Sequence, residues 1–290
     1  MSSPTRKVER ARPLLGTTVS IRIDRMGEAR AHQAIDEAFS AIERVHALMS
    51  FHEAGSDLSR LHAAVPGERV ILDVQTVDVL REALTLSGRT DGAFDVTVAA
   101  QLVAGGLLPA PTSGSLPADG ACWKDIDMDD DRSVSLRRPL WIDLGGIAKG
   151  YAVDRAVDVL CSHGVGHACV NAGGDLRTLG EGPHRVAIAT DETQPSHYPV
   201  IELGEASMAT SSGRAFSTAA TGPHIDGRHR STMGLNQSVT VIAEQCMHAD
   251  ALTKVVMAME TQSADLLRHY NAVAYLQDAA GHWTQLGVST

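Results

Sequence analysis

Residues 141–164, WIDLGGIAKGYAVDRAVDVLCSHG, constrain this chain more than any other stretch. An apolar start, a glycine pair and a long run of helical period read as strand, turn and helix. The junction sets Asp143, Gly145, Gly146 and Lys149 close together. Glycines let backbone approach a ligand, and a helix N-terminus beside a lysine attracts anions. The spacing is neither GxxxxGK[ST] nor GxGxxG, so the P-loop and Rossmann readings do not apply. A phosphate-binding turn and a plain strand-to-helix turn both fit these residues taken alone.

The remaining pattern mixes helices and strands without regular βαβ alternation, which predicts an α+β fold. Residues 14–23, LLGTTVSIRI, alternate as a strand. Residues 27–49 follow a helical period, with Ala34, Ala38, Ile42, Val45 and Met49 on one stripe. Ser56 is placed to cap a short helix. Residues 68–72 read as a strand, 74–88 as a helix, and 91–104 as a turn running into helix. Gly, Pro and Ser in 105–122 mark a loop, read as an insertion. WKDIDM and SVSLRRP pair across an acidic turn, and VGHACVNAGGDLRTLG is a strand entering a Gly-Gly turn. Strands at 185–190, 198–203 and 238–243 precede helices at 249–260 and 263–269.

Charge narrows the function. Lys and Arg number 25 against 35 Asp and Glu, a formal net charge of −10, which is the wrong sign for general nucleic-acid binding. Four Phe, three Trp and four Tyr supply no base-stacking platform. No stretch approaches the ~20 apolar residues of a membrane span. Cys122, Cys161, Cys169 and Cys246 lack CxxC spacing, and the opening residues lack a signal-peptide core, so a cytoplasmic, reduced setting is expected.

Four further motifs carry polar groups. GAFDVTV places Asp95 and Thr97 beside an apolar pair. NAGGDL is a close-approach turn or a plain hairpin. GPHIDGRHR gathers ionisable groups, with His224 suited to acid–base work. In HADALTKVVMAM, Asp250 falls in the first turn of a helix with Thr253 and Lys254 on its face. Such oxygens suit Mg²⁺, and an acid there equally serves the helix dipole.

The order GAFDVT, IDLGGIAKGYAVD, NAGGDL, TSSG…HID and the Asp250 helix closely resembles the FAD:protein FMN transferase (ApbE) family. PLLGTTVSI and MSFHEAGSDLSRLH are similar to that family's opening segments. The resemblance covers nearly the whole chain. It implies one domain over 13–270 after a 1–12 tail, an α+β fold with a T-fold-like core and a smaller lobe, and FAD between them. It implies a Mg²⁺-dependent reaction in which a Thr or Ser hydroxyl of an acceptor flavoprotein takes FMN from FAD and AMP leaves. Hydrolysis of FAD to FMN and AMP, and FAD binding without chemistry, are the alternatives.

By the same resemblance, Leu15, Phe51, Ala93, Phe94, Asp95, Asp143, Lys149 and Ile225 bind FAD. His224 and Asp226 are catalytic. Gly146 (through its backbone carbonyl), Asp250 and Thr253 hold the metal, with Lys254 at the position of the family's Thr ligand. That lysine is one departure. HIDGRHR in place of the family's HIIDPRTG is another. Asp119–Gly120–Ala121 is followed by Cys122, and Asp91–Gly92–Ala93 by Phe94, so neither is a flavinylation acceptor sequence and the acceptor is expected to be another protein.

Overall fold

Alternating burial along β-hairpins, rather than continuous apolar runs, shapes the main sheet, so it is antiparallel with one covered face. The computed structural model describes residues 7–129, 132–188, 198–213, 222–233 and 237–287. Its strands are β1 (Lys7–Leu14), β2 (Thr17–Asp24), β3 (Val70–Ile71), β4 (Ile126–Met128), β5 (Ser133–Leu136), β6 (Ala168–Ala172), β7 (Asp175–Leu179) and β8 (His184–Ala187). They continue as β9 (Val200–Leu203), β10 (Ser207–Ser212), β11 (Ile225–Asp226), β12 (Ser231–Thr232), β13 (Ser238–Ala243), β14 (Val273–Gln277) and β15 (Trp283–Gly287). The helices are α1 (Glu28–Met49), α2 (Asp57–Ala63), α3 (Val74–Arg89), α4 (Ala99–Ala104), α5 (Ala148–Ser162), α6 (Cys246–Met259) and α7 (Ala264–His269).

Eight strands pair in the order β1-β2-β6-β7-β10-β13-β14-β15. Val19, Ile21 and Ile23 of β2 lie opposite Ala172, Val170 and Ala168 of β6 and are fully buried or nearly so. Helices α1, α5 and α6 pack side by side over this sheet. The stripe on α1 is buried as its period predicts, joined by Ala31, Ile35 and Phe39. Ser56 caps α2 by accepting from the Ser59 N–H. Residues 105–122 form a loop. Among the described residues no helix is long and apolar enough to cross a membrane.

Several local expectations are corrected. Residues 14–23 are not one strand: Leu15 and Gly16, at φ 55° and 70°, turn the chain between β1 and β2. Strand β1 begins at Lys7, inside the stretch read as a tail, because the charges of an edge strand hide its alternation. Beyond residue 270, β14 and β15 complete the sheet. Residues 130–131 of the acidic turn, 189–190 of the 185–190 strand and 1–6 of the tail lie outside the described residues.

Trp141–Leu144, read as a strand, joins no sheet. Two long-range hydrogen bonds fix it instead: Asp143 N–H donates to the Val96 carbonyl at 2.8 Å, and Ile142 N–H to His62 Nε2 at 2.9 Å. Burial holds the His62 ring well below the usual histidine range, at about 4. As pH falls, the unfolded chain therefore takes up this proton before the folded one. Stability present above about pH 6.5 is lost as pH falls toward 4. Between pH 7 and pH 5 this histidine should cost about 2 kcal/mol. Urea unfolding of wild type and His62→Gln at both pH values measures it, and identical pH dependence in the two proteins would refute it.

Candidate functional site

A cleft of about 1010 Å³ opens along the β1–β2 turn, the 93–98 segment, the start of α5 and the β6–β7 turn. Its far wall includes Ser211, Ser212, His224, Ile225 and Lys254. Of the residues predicted for the site, Leu15, Ala93, Phe94, Asp95, Asp143, Gly146, Lys149, His224, Ile225 and Lys254 line it. Phe51, Asp226, Asp250 and Thr253 do not.

The cleft owes its charged end to packing between α5, α6 and β7. Lys149, one residue into α5, lies 2.6 Å from Asp175 Oδ2 at the start of β7 and 3.4 Å from Asp250 Oδ2 on α6. Lys254 Nζ pairs with Asp250 Oδ1 and donates to the Asp250 carbonyl at 2.9 Å. Gly150 N–H donates to Asp250 Oδ2 at 3.1 Å. That approach needs a glycine, because a Cβ at residue 150 would lie 2.2 Å from the Cys246 carbonyl oxygen. Burial opposes ionisation of Asp250, but the two ammonium groups outweigh it and hold the carboxyl below the usual range. Burial and the neighbouring Asp250 charge push Asp175 up. The carboxylates thus sit behind the cleft wall, and the ammonium groups face the cleft.

Backbone completes this end. Gly145 N–H donates to Asp143 Oδ1 at 3.1 Å, and Gly145, Gly146 and Lys149, where the chain enters α5, line the cleft. Burial pushes the Asp143 carboxyl up. Opposite, Gly173 and Gly174 close the β6–β7 hairpin at φ 66° and 107°, and a Cβ on Gly173 would lie 2.4 Å from Thr17 Oγ1. Gly174 N–H donates to Asn171 Oδ1 at 2.9 Å. Elsewhere the cleft has apolar lining, with Val98, Leu102, Leu107, Leu108, Val186 and Met208, among hydroxyl residues such as Thr18, Ser20 and Thr210. One ligand spanning both ends would carry anionic and flat apolar parts.

Half-buried His224 also lines the cleft. Burial, with the positive charges of Lys254 and Lys149, holds its ring neutral at about 3. A neutral imidazole has a ring nitrogen able to accept a proton, and a bound anion would raise its basicity.

Asp226 faces elsewhere. Its carboxylate accepts from Arg228 N–H at 2.9 Å and from the Arg228 guanidinium at 2.7 Å, which in turn donates to the Ala258 carbonyl. It shapes the loop that carries His224. Phe51 packs with Ala99 and Trp141, one layer behind the cleft. Asp95 lines the cleft, but its carboxylate accepts from Thr97 and, at 2.8 Å, from Arg230. Arg230 sits at φ 52°. Its guanidinium also reaches the Ala121 carbonyl.

The donors near Asp250 do not fit a magnesium ion. Mg²⁺ demands near-octahedral oxygen ligands at about 2.0–2.1 Å. Both Asp250 oxygens already face ammonium or amide hydrogens, and Thr253 is turned away. Its hydroxyl donates to the Asp250 carbonyl at 2.7 Å and meets Ser211 Oγ at 2.7 Å. One residue along a helix turns a side chain by ~100°, so Thr253 cannot take the place of residue 254. Among the described residues no three His, Cys, Asp or Glu gather to hold a metal. Asp250 also lies in the second turn of α6, not the first, because the helix begins at Cys246.

Reasoning from sequence left Asp175 and Asp154 out of the site. Asp175 carried a signal, since it follows the glycine pair of NAGGD. Asp154, in the α5 motif, accepts from the backbone N–H of Cys246 and Met247 and so caps α6 from another helix. No local pattern announces such a cap.

The fold and cleft define a class: an α+β protein whose antiparallel sheet and glycine turns frame a cleft lined by two lysines and by apolar side chains. More particularly, the chain belongs to the ApbE family, whose profile matches residues 15–276. It is 30% identical to the FAD:protein FMN transferase of Vibrio cholerae, across 94% of this chain and 87% of the relative. The FAD:protein FMN transferase of Haemophilus influenzae is 27% identical, across 90% and 84%. The structure of the Vibrio cholerae flavin transferase ApbE superposes with a TM-score of 0.81 at 26% identity, covering 97% of both chains. The ApbE protein of Thermotoga maritima shares the fold, with a TM-score of 0.82 at 24% identity over 97% of both chains.

Proposed function

We propose that this chain transfers the FMN half of FAD to a Thr or Ser hydroxyl of an acceptor flavoprotein and releases AMP. The observation that carries this reading is the cleft itself. Two ammonium groups and the Gly145–Gly146 turn face one end, continuous with a partly apolar wall, as a dinucleotide with a pyrophosphate centre and a flat ring requires. The names of the relatives support the same reaction.

In this reading Lys149 and Lys254, beside the Gly145–Gly146 turn, bind the pyrophosphate and offset charge developing on its oxygens. The acceptor hydroxyl oxygen attacks the FMN-side phosphorus. A new P–O bond forms as the P–O bond to AMP breaks, and AMP leaves with that electron pair. His224 takes the hydroxyl proton, its basicity raised by the phosphate charge. The Gly173–Gly174 turn lets backbone approach the substrate. No step is assigned to a metal, since the donors at Asp250 do not fit one.

Incubation with FAD, with and without an acceptor protein, tests the reading through AMP release. AMP only with acceptor is the expected result. AMP in both reactions would make the chain a hydrolase, and bound, intact FAD in both would make it a binding protein. Lys149→Ala should weaken FAD binding by about 1.5–3 kcal/mol, the scale of a hydrogen bond to a charged group. Calorimetric titration reads this, and wild-type affinity in the variant would take Lys149 out of the site.

A further inference from the structure

The geometry points to an FAD site charged by two lysines, with the Lys254 ammonium standing where a divalent cation would otherwise neutralise the phosphoanhydride. The inference rests on the transferase reading for the identity of the anion, and goes beyond it in assigning the counter-charge.

Three observations carry it. Lys254 lines the cleft, and its aliphatic stem lies beside Gly146. A Cβ built on Gly146 would be 3.6 Å from Lys254 Cε and 3.7 Å from Phe94 Cε2. Its side chain is only 13% exposed, so the charge is held rather than solvated. A lysine ammonium has three N–H donors. Two go to Asp250, to the carboxylate and the backbone carbonyl, which leaves one for a ligand.

The second observation is shared anchoring. Lys149 and Lys254 both meet Asp250 Oδ1, and Lys149 is held further by Asp175. Two cations are thus brought to one end of one cleft by buried carboxylates that do not themselves line it. A phosphoanhydride entering there meets positive charge already in place, which is the preorganisation that a bound metal supplies in other phosphoryl-transfer sites.

Third, the same arrangement excludes the ion. A cation seated on Asp250 must displace the Lys254 ammonium from the carboxylate and then remain beside it, against strong like-charge repulsion. Thr253 offers it no oxygen. FAD binding by this chain is therefore independent of magnesium.

The test titrates the full chain with FAD, following flavin fluorescence, once in EDTA and once in magnesium. Wild type should bind with the same affinity in both. Lys254→Met should lose about 10- to 100-fold in both, the scale of a hydrogen bond to a charged group. Lys254→Arg should keep most of the affinity. Lys254→Thr frees an Asp250 oxygen and adds a hydroxyl, so its binding should be weak in EDTA and restored by magnesium. Circular dichroism melts confirm that each variant is folded, and the wild-type comparison needs no variant at all. Wild-type binding that collapses in EDTA overturns the proposal while leaving the transferase reading intact. Undiminished binding by Lys254→Met in EDTA also overturns it. A wild-type chain that binds FAD under neither condition overturns both.

Discussion

Asp250→Ala should lower the free energy of unfolding by about 3 kcal/mol, toward the lower end of what breaking a buried ion pair costs. The carboxylate is fully buried and faces the Lys149 and Lys254 ammonium groups and the Gly150 N–H. Removing it leaves two cations against the single carboxylate of Asp175 and orphans a buried amide. The cost stays at the low end because the Lys149 side chain is 32% exposed and can turn its charge toward water in the cleft. Asp250→Asn, which retains an oxygen acceptor for Gly150, should lose less. If Asp250 served only the helix dipole, alanine would cost about 0.3–1 kcal/mol. Guanidinium unfolding separates the two cases, and a loss below about 1 kcal/mol would sink the buried-pair account.

That contrast shows what a reader of the sequence can and cannot see. The period of α1, the Ser56 cap and the strands at 126–128, 133–136 and 238–243 follow from local patterns, so they were legible. The ordered motifs that named the family were legible too, because glycines at forced turns and a lysine at a helix start are written in adjacent residues. The partners of each charge were not. Lys149 and Asp250 are 101 residues apart, and Arg230 and Asp95 are 135 apart. Asp226 pairs with Arg228, and Phe51 packs with Trp141 behind the cleft. The type of each residue is local, and its contacts depend on neighbours brought in by the fold.

Asp154→Ala should cost about 3–5 kcal/mol, because one side chain there does two tasks at once. Its carboxylate accepts from Cys246 N–H at 3.0 Å, from Met247 N–H at 2.9 Å and from Arg177 Nη1 at 2.8 Å. Gln245, at the local capping position of α6, makes no side-chain cap, so nothing else in the helix satisfies these amides. Loss of a helix cap alone costs about 0.5–2 kcal/mol. Leaving the Arg177 guanidinium without its largely buried partner adds the remainder. Asp154→Asn should be intermediate, since one face of the amide accepts while its NH₂ meets a backbone N–H. The change should also reach the cleft, because the first turn of α6 is pressed against Gly150 and the next carries Asp250 and then Lys254. FAD affinity should fall together with stability in Asp154→Ala, although residue 154 does not line the cleft. Chemical unfolding beside an FAD titration checks both, and a variant as stable as wild type would show that α6 does not depend on α5 for its cap.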